Sequence, residues 1–374
     1  MILPTRLRKR KDHYVITVYK TERTTHNICI GDLLVIVLAG EEIVRPVRKD
    51  FHVSLPKRLI DKTSQKSPFM LDIIHTVKKE EALVRPSIPF ADNMIDIRHC
   101  IPTITHHGYP CFIINRGDGV SSIWYAIGGG VDHFTINNLI DVEKLGELLG
   151  FYFGNGSTSP DITSLRLTNA EPSVLDYCLK VLEVMGISRD RFKIQVIYST
   201  PAEVNEDIQE RCILFWSDAL GIPVGNIISV LKANNIRETK RNGSARLFID
   251  SAVLVEVFLH SLLPFVMQRA GHPTCEQDEI LLRSFIRGLL AAEGYPEFNT
   301  SGTLTKISIA YDPFSDEPKI YRALLQNLGV HVGKDGGNAV HIYGRENLKC
   351  FVNMDCFKMH ATRKAKLLRG VKAF

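Results

Sequence analysis

The sequence has no Cys-x-x-Cys pair, although it contains eight cysteines. The ligand spacing of a zinc finger or ribbon is therefore missing. The cysteines are scattered at 29, 100, 111, 178, 212, 275, 350 and 356, and several lie in apolar helical runs. They read as free thiols, which fits a reducing cytoplasm. No uninterrupted apolar run reaches the roughly 18 residues that span a bilayer. The closest approach, Leu254–Met267, is short and broken by Glu256, His260 and Pro264. The N-terminal basic cluster is not followed by an apolar core, so it does not read as a secretory signal. Gly128-Gly129-Gly130 reads as a turn and fits neither a Walker nor a dinucleotide motif. No intein splice junction can be identified. Nucleotide-driven, zinc-stapled and membrane-spanning classes are thus set aside.

Strong charge of one sign is also lacking, since the formal net charge is only +5. The balance hides an asymmetry. Residues 1–12 carry five basic residues and one acid, and residues 358–374 carry six basic residues and no acid. The residues between them sum to −5 once those +4 and +6 ends are removed from the +5 total. Basic ends can contact phosphates. They can equally serve solubility or fold back onto the protein. With 45% hydrophobic and 23% charged residues, the chain is an ordinary globular sequence, long enough for two or three compact units.

Two stretches organise the rest. They are Leu148–Ser157 (LLGFYFGNGS) and Phe285–Pro296 (FIRGLLAAEGYP). Aligned without gaps, Gly150 falls on Gly288, Gly154 on Ala292, Asn155 on Glu293 and Gly156 on Gly294. Each is an apolar helical run with small residues four apart, which share one helix face. Small residues let two helix backbones approach closely. The spacing predicts two helices crossed at those positions, with Asn155 and Glu293 side by side where they end.

These paired stretches resemble the two signature helices of a monomeric, double-motif LAGLIDADG homing endonuclease. The resemblance covers about residues 134–369. It implies an α+β fold in which two pseudo-symmetric LAGLIDADG half-domains (αββαββα-like) form a DNA-binding saddle. It also implies that the last acidic residue of each helix binds the divalent cations, such as Mg2+, that cleave double-stranded DNA. Glu293 matches that position. Asn155 departs from it, because most members carry Asp or Glu there, and cleavage could be reduced to nicking or lost. Some members of the family assist splicing of intron RNA.

The domain plan that follows is a β-rich domain at 1–65, an extension at 66–133, a first half-domain at 134–270 and a second at 271–374. In the first part, Tyr14–Tyr19, Ile28–Leu38 and Val44–Leu55 read as strands, with a short helix from Pro56. The pieces IGDLLVIV and FHVSLPKRLI resemble AbrB-type swapped-hairpin DNA-binding domains, in reversed order. A plain small β-barrel fits the same pattern. Residues Cys111–Asn115 and Ser122–Ile127 are predicted strands around the turn 116–119. His106 and His107 are adjacent, so their side chains are expected to diverge.

In the predicted half-domains, strand periodicity places polar side chains on one face. Arg166 and Thr168 oppose Leu165 and Leu167, Lys193 and Gln195 oppose Ile194 and Val196, and Lys306 and Ser308 oppose Ile307 and Ile309. His341 and Tyr343 oppose Val340 and Ile342, and a basic turn holds Arg237, Lys240, Arg241 and Arg246. An antiparallel sheet can keep one face open, and a two-stranded ribbon fits the DNA major groove. Each residue alone is also an ordinary surface position. For cleavage, Glu293 is the stronger metal ligand and Asn155 the weaker, since a carboxylate brings charge and an amide does not. Lys306 is the candidate for the scissile phosphate, with Arg166 as its rough counterpart. The chain is expected to act as a monomer on duplex DNA, with intron RNA as the other partner.

Overall fold

The computed structural model describes every residue except 1, 12, 64–68, 128–129, 157–162, 200–203, 234–241, 334–335 and 372–374. It is a mixed α+β chain with two compact units. One comprises Met1–Pro86 and Pro102–Thr135; the other comprises Ser87–Ile101 and Ile136–Phe374.

In the first unit the order strand, short helix, strand occurs twice. His13–Thr17 leads through Lys20–Thr25 to Leu33–Leu38, and His52–Pro56 leads through Lys57–Ile60 to Phe69–Val77. The first strands of each set pair antiparallel, as do the second strands. Their apolar faces meet in one core that includes Ile16, Leu34, Ile36, Val53, Leu55 and Ile73. The alternation across Val44–Leu55 does not form one strand. It breaks into Glu41–Pro46 and His52–Pro56, because Asp50 and Phe51 take positive φ of 61° and 58° between them.

The stretch expected as an extension contributes interior structure. Phe69–Val77 lies second in a sheet ordered Ile2–Thr5, Phe69–Val77, Leu33–Leu38, Glu41–Pro46. The hairpin Cys111–Gly117 with Val120–Ile127 packs Phe112, Ile114 and Trp124 against Leu33, Val35 and Val44. Its turn is made by Gly117, Asp118 and Gly119, all at positive φ. The rings of His106 and His107 do not diverge; their centroids are 3.7 Å apart. A tight turn closed by the Gly108 amide on the Thr105 carbonyl curls both residues to one side.

The second unit is built on two helices, Val142–Asn155 and Glu276–Glu293. Asp141 caps the first by accepting the Lys144 amide at 2.9 Å. The second begins with Glu276, Asp278 and Glu279 in its first turn, which complement the helix dipole. Two sheets accompany them. One is ordered Ser164–Asn169, Ser244–Asp250, Lys193–Ser199, Ile227–Ala233; the other is ordered Gly294–Phe298, Leu304–Ala310, Ala339–Tyr343. All pairs are antiparallel except Lys193–Ser199 with Ile227–Ala233.

Ala252–Gly271 forms one continuous 20-residue helix, long and apolar enough on average to cross a membrane despite Glu256, His260 and Pro264. The uninterrupted-run criterion misses it because those three residues are spaced among strongly apolar ones. Within this unit it lies as a core helix, with 56% of its most apolar window buried. A π turn at Phe258–Leu262, closed by the Leu263 amide on the Phe258 carbonyl, admits Pro264 without ending the helix.

Candidate nucleic-acid interface

The two long helices touch backbone to backbone. An ideal Cβ on Gly150 would lie 2.0 Å from the Phe285 carbonyl oxygen, and one on Gly288 would lie 2.0 Å from the Glu147 carbonyl oxygen. Gly146 meets Ser284 and Gly154 meets Ala292 in the same way. Under the ungapped alignment each of these contacts is the mirror partner of itself or of another. The crossing is therefore reciprocal.

It delivers Asn155 and Glu293 to neighbouring helix ends, as the alignment predicts. A Cβ on Gly154 would be 3.2 Å from Glu293 Cγ. Asn155 and Glu293 are both half-buried. Burial raises the Glu293 carboxyl above its ordinary value; Arg363 opposes this and Glu317 adds to it. Arg363 reaches back from the C-terminal helix Ala361–Val371. Its Nη1 donates to the carbonyl oxygens of Leu290 (3.2 Å), Ala291 (3.0 Å) and Ala292 (3.2 Å). The Leu290 carbonyl also accepts the Gly294 amide, while those of Ala291 and Ala292 lie past the last intrahelical acceptor, so a distant basic side chain caps the helix that carries Glu293. Burial lowers the Arg363 pKa, and Glu293 and Glu171 oppose that shift. Tyr321 belongs to the same neighbourhood, its hydroxyl pushed upward by burial and by Glu317 and Glu293. Sequence reading missed Arg363, Glu317 and Tyr321. The only signal for Arg363 was its place in the basic C-terminal stretch.

A second group binds the crossing from the side. Glu147 is fully buried and takes Arg287 Nε at 2.7 Å, Lys358 Nζ at 2.7 Å and the Tyr177 hydroxyl. Glu143 takes Arg287 at 2.8 Å and Lys358 at 2.5 Å. Two positive charges of the second half thus neutralise two negative charges of the first. Lys358 and Arg363 are therefore spent inside the protein rather than on phosphates.

Three of the sequence-selected residues form one row across the first sheet, completed by Ser229. Thr168 pairs with Arg246, Arg246 with Gln195, and Gln195 with Ser229. Arg246 Nη1 donates to Gln195 Oε1 at 3.2 Å, and Gln195 Nε2 donates to Ser229 Oγ at 3.3 Å. A neighbouring row holds Arg166, Phe248 and Lys193. Lys193 is half-exposed, pairs with Asp250 at 3.1 Å and stands 6.0 Å from the centre of the Phe248 ring. Leu165, Leu167, Ile194, Val196, Ala245 and Leu247 fill the opposite, buried face. Ser229 and Leu231 of the edge strand share the polar face and were missed, because that strand reads as a short apolar run without alternation. Arg237, Lys240 and Arg241 lie outside the described residues.

The second sheet departs further from expectation. Lys306 sits between Glu297 and Tyr343, bonded to Glu297 at 3.2 Å and 5.9 Å from the Tyr343 ring centre. It is three residues along the strand from the Gly294–Ile309 pair that follows the helix end, roughly 10 Å at the usual strand rise. Ser308 and His341, expected on an open face, are buried. Ser308 Oγ bonds Glu297 and, at 2.8 Å, His341 Nδ1; His341 Nε2 meets the Gly336 carbonyl at 2.9 Å. Val332 bridges Ile342 and Gly336 bridges Ala339 beside that strand, with the Gly333 amide on the His341 carbonyl. Tyr343 alone of that strand stays exposed. The pairing of Arg166 with Lys306 also changes. Gly156 bridges Leu167 as Gly294 pairs with Ile309, so the counterpart of Lys306 is Ser164 and that of Arg166 is Ser308.

No protein-family model matches the chain, and no curated protein matches it. Among solved structures it is similar to the N-terminal LAGLIDADG domain of DUF199/WhiA, with 13% identity over 57% of this chain and 82% of that one, at a TM-score of 0.32. Full-length DUF199/WhiA from Thermatoga maritima gives 13% identity and a TM-score of 0.32; the match covers 62% of this chain and spans 60% of that one. A point mutant of I-SmaMI gives 10% identity over 61% of this chain and 95% of that one, at a TM-score of 0.26.

Proposed function

We propose that this chain binds double-stranded DNA, using two LAGLIDADG-like half-domains related by the crossed helices. The observation that carries the reading is the polar row Thr168–Arg246–Gln195–Ser229 on the open side of a sheet whose other side is buried. Arg, Gln and Ser side chains at strand spacing can bond base edges in a major groove. Lys193 and Arg166 beside them can hold phosphates and fix register. Phe248 and Leu231 on the same face supply the apolar contacts that a thymine methyl accepts.

Strand cleavage is the second reading, and Glu293 favours it. Its carboxylate makes no ion pair within 4.0 Å among the described residues, next to Asn155 at the paired helix end. Glu293 and the Asn155 amide oxygen would hold a Mg2+ that keeps most of its waters. Such an ion, when bound, lowers the pKa of a water and offsets charge on the leaving oxygen. The donor set fits that role weakly. It has one full carboxylate, whose burial favours its protonated form and whose neighbour is Arg363. Binding without efficient cutting, as in a DNA-binding regulator, is therefore the balance the residues favour.

The test selects bound sequences from a randomised duplex library without metal. Mg2+ is then added and both strands are sequenced for breaks. A selected sequence that loses binding in Arg246→Ala supports the interface. Enrichment of no duplex, with preference for folded intron RNA, overturns it. A break abolished by Glu293→Gln supports cleavage, and Asn155→Asp should then increase it.

A further inference from the structure

The first unit contains a buried cation without an ion pair among the described residues, with other arginines near it. Arg45 lies on strand Glu41–Pro46, paired in register with Leu34 and on the same strand face as Ile43, which places it at the rim of the apolar core. It is 8% exposed. Its guanidinium makes one long hydrogen bond, 3.4 Å to the Val44 carbonyl, and no ion pair among the described residues. Burial, together with the nearby charges of Arg48 and Arg58, lowers its pKa to about 10.

The neighbours make the imbalance worse. Arg48 opens the turn Lys49–Phe51, is exposed and makes no ion pair among the described residues. Arg23 stacks 3.7 Å above the ring of Phe51 in that turn, and its buried Nε has no hydrogen-bond partner. Arg58 is matched, since Glu41 takes it at 3.0 Å and also takes Lys62 at 3.1 Å. The acid within the turn, Asp50, is exposed. A buried guanidinium without an ion pair is costly, and like charges nearby add to the cost. Guanidinium groups satisfy phosphate oxygens with paired hydrogen bonds.

We propose that Arg45, with Arg48, forms a binding site for a phosphate group at the edge of the first unit. The group comes either from a nucleic-acid backbone or from a free phosphate compound. This site lies in the other unit from the sheet rows and does not rest on their reading.

Titration calorimetry on the full chain with inorganic phosphate and pyrophosphate tests it, together with thermal unfolding in phosphate and in chloride at matched ionic strength. Saturable binding and a phosphate-dependent rise in Tm are expected. Arg48→Gln, at an exposed turn position, should keep the Tm in chloride and weaken phosphate binding about tenfold, the loss of one charge-assisted contact. Arg45→Met should abolish the phosphate response and raise the Tm in chloride, since a buried unpaired charge is removed. Absence of binding, or binding unchanged in Arg48→Gln, overturns the proposal. Repeating the titration with a saturating short duplex separates the sources. Blocked binding identifies backbone phosphate as the occupant, and retained binding identifies a free phosphate compound.

Discussion

Gly150 and Gly288 hold reciprocal positions in the helix crossing: each faces the carbonyl oxygen of the residue that stands three before the other, Phe285 and Glu147, with room for hydrogen only. Alanine at either place drives a methyl group into backbone that cannot rotate away. Gly150→Ala and Gly288→Ala should each cost about 3 kcal/mol or more, at or above the upper end of ordinary overpacking. Urea unfolding measures this. Gly271→Ala serves as the control, because a Cβ there meets nothing within 4 Å.

The Glu147 network should be the next most sensitive place. Glu147→Ala leaves Arg287 with Glu143 as its one counter-charge among the described residues, beside the Met354 carbonyl, and leaves Lys358 half-matched in a partly buried setting. Breaking one side of a buried pair costs about 3–5 kcal/mol, readable as a shift of the unfolding midpoint. Glu147→Gln should cost less, because the amide oxygen still accepts one donor.

Glu293 predicts a pH dependence of definite sign. Its folded pKa is raised by burial, so the folded state holds that proton more tightly than the unfolded chain does. Below the ordinary carboxyl value of 4.5 both states are protonated and burial carries no penalty. As pH climbs from there to the raised value, stability is lost, and above it the loss is complete. Glu293→Gln should therefore be more stable than the wild type near pH 7, and the difference should close below about pH 4. Unfolding curves at the two pH values measure it.

Duplex binding should divide Arg246 from Lys193. Arg246→Ala should cost about 1–3 kcal/mol and relax preference at one base pair, as expected for a base-edge contact. Lys193→Ala should weaken all sequences alike and reduce the salt slope by about one, as expected for a phosphate contact. Binding isotherms at several salt concentrations report both.

The crossing helices were legible because glycine spacing has one cheap explanation, close backbone approach. The polar row of the first sheet was legible for a similar reason: Arg166, Thr168, Lys193 and Gln195 alternate with residues that had to be buried. The same alternation misled at Ser308 and His341. Period two assigns a face, but it does not reveal that Glu297 and the Gly336 carbonyl tie Ser308 and His341 down. The network of Glu143, Glu147, Arg287 and Lys358 was invisible for a different reason. Helical charges at 143 and 147 look like a solvated stripe until partners more than a hundred residues away are placed beside them. In the first unit, the break at Asp50 and Phe51 was hidden because Asp tolerates a left-handed turn without requiring one and Phe gives no such signal.

The cap that Arg363 places on the carbonyls of Leu290, Ala291 and Ala292 also orders events in time. A chain synthesised from its N-terminus exposes Glu293 about seventy residues before the side chain that closes its helix. Until then the helix end carries open acceptors, and the carboxylate lacks its neighbouring cation. The first unit, both long helices and the first sheet can all fold in that interval. The paired helix end at Asn155 and Glu293 is thus completed only once residue 363 is in place, and a nascent chain stalled before it should hold the crossing without the finished site.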